Sequence, residues 1–222
     1  MKKVFTFICA ALFALTAAAC GSAGTAVQDN RNAADTHAAQ TQVEPAQGKR
    51  VLVAYFSRAD ENTGVGYIEK GNTRILAEMA ADITKGDLFE IKTLKSYPKE
   101  CRPAAGVAKQ EKENNERPEI NGPLPDMSKY DVILLGYPIW WGDLPMGVYT
   151  FLEKENFAGK TIIPFCTHEG SGIGNTERFI TEVTKANVLP GMEMHGHKAQ
   201  NSQTEAKAEI EEWIKKSLAD VK

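Results

Sequence analysis

Five short apolar runs alternate along this chain with segments whose apolar residues recur every three or four positions. Arg50–Phe56 is apolar almost throughout and predicts a strand buried on both faces, because a one-sided strand would alternate with polar residues. Thr73–Thr84 predicts a helix with Ile75, Leu76, Met79 and Ile83 on one face. Asp87–Thr93 reads as the second strand. Lys99–Asn115 reads as a polar helix closed by Arg117-Pro118, where proline would stop it. Lys129–Gly136 is the third strand, and Pro145–Lys154 a short helix with proline in its first turn. Lys160–Cys166 follows as the fourth strand, then helix Thr176–Ala186 and a short fifth strand, Met192–His195. The chain closes on an amphipathic helix, Thr204–Leu218, carrying Ile210, Trp213, Ile214 and Leu218. Strand–helix alternation with buried strands predicts the α/β class: a five-stranded parallel sheet covered on both faces, a three-layer doubly wound sandwich.

The first residues follow a different logic. Lys2 and Lys3 precede an apolar stretch, Val4–Leu15, too short to span a membrane, and Ala17, Ala18 and Ala19 lead to Cys20. That order resembles a bacterial lipoprotein signal over 1–19, with cleavage before Cys20 and a lipid on its sulfur. Ordinary secretion with an A-x-A cleavage site is the alternative. Either route exports the protein, to face the periplasm or the cell exterior. Residues 20–48 are rich in Ala, Gln, Asn, Asp and Thr and are expected to be a disordered tether. Residues 49–222 are long enough for one domain with its own core. The net charge of −3 gives no nucleic-acid footprint, so contact with a membrane is expected only through the lipid.

Three loops carry the candidate chemistry. In a doubly wound sheet, the loops after strands one, three and four meet at the carboxyl edge, where such folds bind ligands. After the first strand come Ser57 and Arg58, then Gly71, Asn72 and Thr73 at the start of a helix. A helix amino end offers unpaired N–H groups and partial positive charge, which favour a phosphate; an ordinary N-cap by Asn72 or Thr73 is the plainer alternative. After the third strand come Pro138, Ile139, Trp140, Trp141 and Gly142. Flat indoles suit a flat, mostly apolar ring, although Trp140 and Trp141 could instead be core aromatics. After the fourth strand come Thr167, His168, Glu169, Gly170, Ser171 and Gly172, whose glycines let backbone amides turn toward a ligand edge. His168 and Glu169 are an acid–base pair or simply solvated loop residues. His195 and His197 share a face by alternation, but without carboxylate or further histidine partners no metal site is expected. Cys166 reads as a buried thiol, and sequence cannot tell whether it pairs with Cys101.

Tyr55-Phe56-Ser57, Gly136–Gly142 with its Tyr-Pro-Ile-Trp-Trp-Gly, and Pro164–Gly172 together resemble the flavodoxin-like family, in a bacterial exported branch. Arg117-Pro118-Glu119 and Leu189-Pro190-Gly191 fit as well. The resemblance implies strand order 2-1-3-4-5, for which flavodoxin is the type example, and non-covalently bound FMN. Ser57, Arg58, Gly71, Asn72 and Thr73 would hold the phosphate. Pro138, Ile139, Trp140, Trp141 and Gly142 would flank the isoalloxazine, and Thr167, His168, Gly170, Ser171 and Gly172 its other edge. The departure is an insert, Ala59–Lys70, within which Asn62-Thr63-Gly64 competes as the phosphate contact. Asp143 and Glu169, if near the ring, would lower the potential by charge repulsion.

Three functions follow from that resemblance. The first is an electron carrier that docks a redox partner protein or a small quinone-like acceptor. The second is an FMN-dependent NAD(P)H:quinone-type oxidoreductase. The third is a non-redox binding lipoprotein that has lost its flavin. The sequence contains no separate nicotinamide domain, which favours the carrier.

Overall fold

The computed structural model describes residues 48–222. The signal, Cys20 and nearly all of the tether fall outside the described residues. The first strand, β1 (Val51–Tyr55), is buried at every position, as its unbroken apolar run requires. A polar hairpin follows, β2 (Asp60–Asn62) paired antiparallel with β3 (Gly66–Ile68). Helix α1 (Asn72–Thr84) then leads to β4 (Asp87–Glu90), and α2 (Cys101–Glu113) to β5 (Val132–Pro138). Next come α3 (Met146–Lys154), β6 (Thr161–His168) and α4 (Thr176–Thr184). Two short strands, β7 (Asn187–Val188) and β8 (Met192–His195), precede α5 (Gly196–Asn201) and α6 (Gln203–Ala219).

The main sheet runs β4-β1-β5-β6-β7, with β8 also on β6, and every pairing in it is parallel. With β7 and β8 counted as one interrupted fifth strand, this is the expected order 2-1-3-4-5. The interruption is Leu189-Pro190-Gly191. Leu189 still donates its amide to the Ile162 carbonyl at 3.0 Å, but proline has no amide to continue the ladder. Each face has its own core. Leu52, Ile133, Leu135, Val148 and Phe151 pack on one side, and Val53, Leu76, Leu134, Ile210 and Ile214 on the other.

Several expected boundaries move, each for a local reason. The second strand stops at Glu90 rather than Thr93, and the chain continues through an isolated bridge, Thr93 to Ile120. The third strand starts at Val132, not Lys129, because Met127–Lys129 is a turn of 3-10 helix whose Ser128 amide donates to the Asp126 carboxylate at 3.1 Å. The fourth strand runs on to His168, so Thr167 and His168 are strand residues rather than loop residues. Their position on β6 is fixed by register: Pro138 opposite Thr167 and His168 opposite His195.

Candidate functional site

The carboxyl ends of β1, β5 and β6 bring the three predicted loops to one rim. A cavity of about 360 Å³ opens there, lined by ten of the predicted residues: Arg58, Asn72, Pro138, Ile139, Trp140, Trp141, Gly142, Thr167, His168 and Ser171. Ser57, Gly71, Thr73, Gly170 and Gly172 do not line it. Thr73 and Gly170 bond to lining residues, Thr167 and His168. Gly71 caps α1 without a side-chain bond, and a Cβ there would meet Ser57 Oγ at 2.3 Å and the Arg58 carbonyl oxygen at 2.4 Å. The Arg74 amide donates to Ser57 Oγ at 3.1 Å, while no acceptor for the Asn72 and Thr73 amides occurs among the described residues. The amino end of α1 is therefore partly capped by Ser57 and partly open to an anion. Neither Asn72 nor Thr73 is the N-cap. Asn72 Oδ1 accepts from Gln200 at 2.8 Å, and the Thr73 and Thr167 hydroxyls meet at 2.7 Å.

The two tryptophans take different places. Trp140 is half-buried and makes edge contacts with Phe56 and Tyr97, at ring separations of 5.2 and 4.9 Å. Trp141 is 53 % exposed. Its indole donates to the Ala105 carbonyl at 2.9 Å, and its own carbonyl accepts from Lys112 at 2.8 Å. Between them the backbone reverses in two residues. Trp140 and Asp143 exchange amide–carbonyl bonds of 2.9 and 3.1 Å, with φ of 53° at Trp141 and 72° at Gly142. Positive φ at both central positions is the signature of a type I′ turn, and it is why glycine stands at the second. Asp143 does not face the cavity as a bare charge. Its carboxylate accepts from the Leu144 amide and the Tyr149 hydroxyl, both at 2.8 Å, and pairs with Lys112 at 3.2 Å. The expectation that Asp143 repels a reduced ring is corrected on that ground; Glu169 does line the cavity.

On the opposite wall, the Gly170 amide donates to His168 Nδ1 at 2.9 Å. That bond places the neutral ring's proton on Nε2. Burial, with His195 beside it, holds His168 below the usual imidazole range, so it is neutral at pH 7. No acid–base bond to Glu169 forms. Arg58 lines the cavity, but its guanidinium is committed to the carbonyls of Glu61 (2.6 Å), Pro98 (2.9 Å) and Lys99 (2.6 Å). In the insert, the Asn62 side-chain amide turns back on the Arg58, Ala59 and Asp60 carbonyls, while the Thr63 hydroxyl lines the cavity 3.3 Å from Cys101 Sγ. Cys166 is buried, which pushes its thiol well up, and Cys101 is separate from it; both are free.

Sequence reasoning missed one wall entirely. Cys101, Ala104, Ala105 and Ala108 of α2 face the cavity. Their spacing is i, i+3, i+4, i+7, a helical stripe of small residues on an otherwise polar helix, and that was the available signal. A second groove, of about 640 Å³, lies between the hairpin, α1 and α6. Four of its charges are paired, Lys70 with Glu78 at 2.6 Å and Lys207 with Asp82 at 3.2 Å, and none of the predicted site residues lines it. The rim cavity is the candidate site.

The sequence profile of the flavodoxin family matches residues 50–217. No curated protein matches the chain. Among solved structures, a candidate flavoprotein from Bacteroides uniformis is 30% identical, covering 76% of this chain and 99% of its own, with a TM-score of 0.58. One from Bacteroides eggerthii is 28% identical, covering 72% of this chain and 98% of its own, with a TM-score of 0.54. A flavoprotein from Lactobacillus acidophilus, solved in complex with FMN, is 21% identical, covers 72% of this chain and 99% of its own, and has a TM-score of 0.52. With the parallel sheet order, the rim cavity and a profile match across nearly the whole described domain, the chain belongs to the flavodoxin family.

Proposed function

We propose that this protein is an FMN-binding redox protein that carries electrons through a non-covalently held flavin. The observation that carries the reading is the rim cavity itself. It joins a wall of aromatic and small residues to the open amino end of α1, the two surfaces that a planar ring bearing a phosphate requires. Its volume of about 360 Å³ is in the range of small-molecule sites. Bound FMN supplies the reversible uptake of electrons.

The chain's own residues do the rest. The Asn72 and Thr73 amides, with Thr63 from the hairpin, receive the phosphate. Pro138 and Ile139 flank one side of the ring, and the alanine stripe of α2, with Trp141 bonded to it, bounds the other. His168 offers a neutral N–H donor at the ring edge. Lys112 answers Asp143, so Glu169 is the anion that disfavours a reduced, negatively charged ring; 1.4 kcal/mol of such disfavour lowers a one-electron potential by about 59 mV. Trp141, exposed at the mouth, is where a redox partner protein or a quinone-like acceptor gains access.

Residues 49–222 form the working domain, and the lipid on Cys20 holds it at a membrane outside the cytoplasm. Replacing Cys20 by alanine should abolish incorporation of labelled fatty acid; unchanged labelling would refute the anchor. For the carrier, the FMN-loaded chain is mixed anaerobically with NADH or NADPH. The flavin absorbance should persist until a reducing partner or dithionite is added. Rapid bleaching by the nicotinamide alone would make the protein a reductase instead.

A further inference from the structure

Three of the chain's four histidines meet beside the cavity, and the fourth, His37, lies outside the described residues. The parallel register of β6 with β8 sets His168 opposite His195, so that Glu169, just past β6, comes alongside His195 and His197. Ligand atoms of Glu169, His195 and His197 all lie within 4.8 Å of one another, with His197 Nδ1 and Glu169 Oε2 at 3.6 Å. None of these three side chains makes a hydrogen bond to a described residue. Their lone pairs converge unspent.

The carboxylate is also held in place by shape. A Cβ at Gly64 would meet the Glu169 carboxyl carbon at 2.6 Å, and one at Gly196 would meet Glu169 Oε1 at 2.5 Å. The chain thus presses Glu169 between two glycines, one from the hairpin and one between the two histidines. This supplies the carboxylate partner that sequence alone did not find for His195 and His197.

We propose that Glu169, His195 and His197 bind a divalent first-row transition-metal ion of the zinc type. Two imidazoles and a carboxylate suit such an ion, and three protein ligands leave a position for water or an anionic oxygen. Ligands about 2.0–2.1 Å from a tetrahedral zinc stand about 3.3 Å apart, so only small rotations of exposed side chains close the site.

The test is calorimetric titration of Zn²⁺ into the purified, chelator-stripped full chain without FMN, repeated with Co²⁺ for its visible bands. The expected result is one ion per chain, bound at least tenfold more weakly in H195A and in H197A, and unchanged in H37A. His197 is 57% exposed, so H197A keeps the fold, which circular dichroism checks. No stoichiometric zinc binding, or binding indifferent to both substitutions, overturns the proposal. So does heat from inorganic phosphate with none from zinc, which would make the cluster an anion site. Because no flavin is present, the outcome is independent of FMN binding.

Discussion

Trp140 and Trp141 are neighbours with opposite tasks. Trp140 anchors the rim to the core through Phe56 and Tyr97, whereas Trp141 stands half in solvent and is tied to α2 by one indole bond and by Lys109 and Lys112. W140A should therefore lower the unfolding free energy by about 3 kcal/mol, the low end of the range for aromatic truncation because the ring is only half-buried. W141A should leave stability nearly unchanged and weaken FMN about two- to tenfold, from the roughly 0.5–1.5 kcal/mol that aromatic stacking adds to area burial. Urea unfolding and flavin titration of the two variants separate these effects. Equal destabilisation, or W141A with full affinity, would contradict the division. The sequence placed both rings at the rim, since proline and glycine bracket them at a strand end. It could not separate them, because the choice between core and cavity depends on Phe56 and Tyr97, which come from distant segments.

The β2–β3 hairpin lies within the Ala59–Lys70 insert. Its strands, Asp-Glu-Asn and Gly-Tyr-Ile, are three residues long and lack apolar alternation, so the strand pattern is invisible in sequence. What holds the hairpin is Arg58, whose guanidinium gathers the carbonyls of Glu61, Pro98 and Lys99. R58A should cost about 2 kcal/mol, as bonds from a charged donor do. Hydrogen exchange should rise across Asp60–Ile68 while Val132–Pro138 stays protected. Unchanged exchange in the hairpin would show that Arg58 is not its clasp. The same segment carries Thr63 to the cavity and Gly64 to Glu169, so its loss of order would reach both the flavin pocket and the proposed metal site.

At the scale of the whole molecule, the doubly wound parallel sheet was legible because buried parallel strands are continuous apolar runs and right-handed crossovers leave few arrangements, whereas the strand order came from the resemblance to the flavodoxin-like family. The fifth strand was only half legible. Proline splits it into Asn187–Val188 and Met192–His195, and a two-residue strand has no pattern to read. Helix α5, six residues long, is too short for a period to appear. The convergence of Glu169 with His195 and His197 was beyond reach, because it depends on the register of β8 against β6 rather than on any spacing along the chain.

The central claim is that one rim clasps a ring and a phosphate together, and the phosphate can be tested by removing it. The full chain is titrated separately into FMN and into riboflavin while flavin fluorescence is followed. Saturable quenching at one FMN per chain is expected, with riboflavin bound at least tenfold more weakly because the amino end of α1 has nothing to hold. FMN fluorescence that does not change, or equal affinity for the two flavins, would contradict the account.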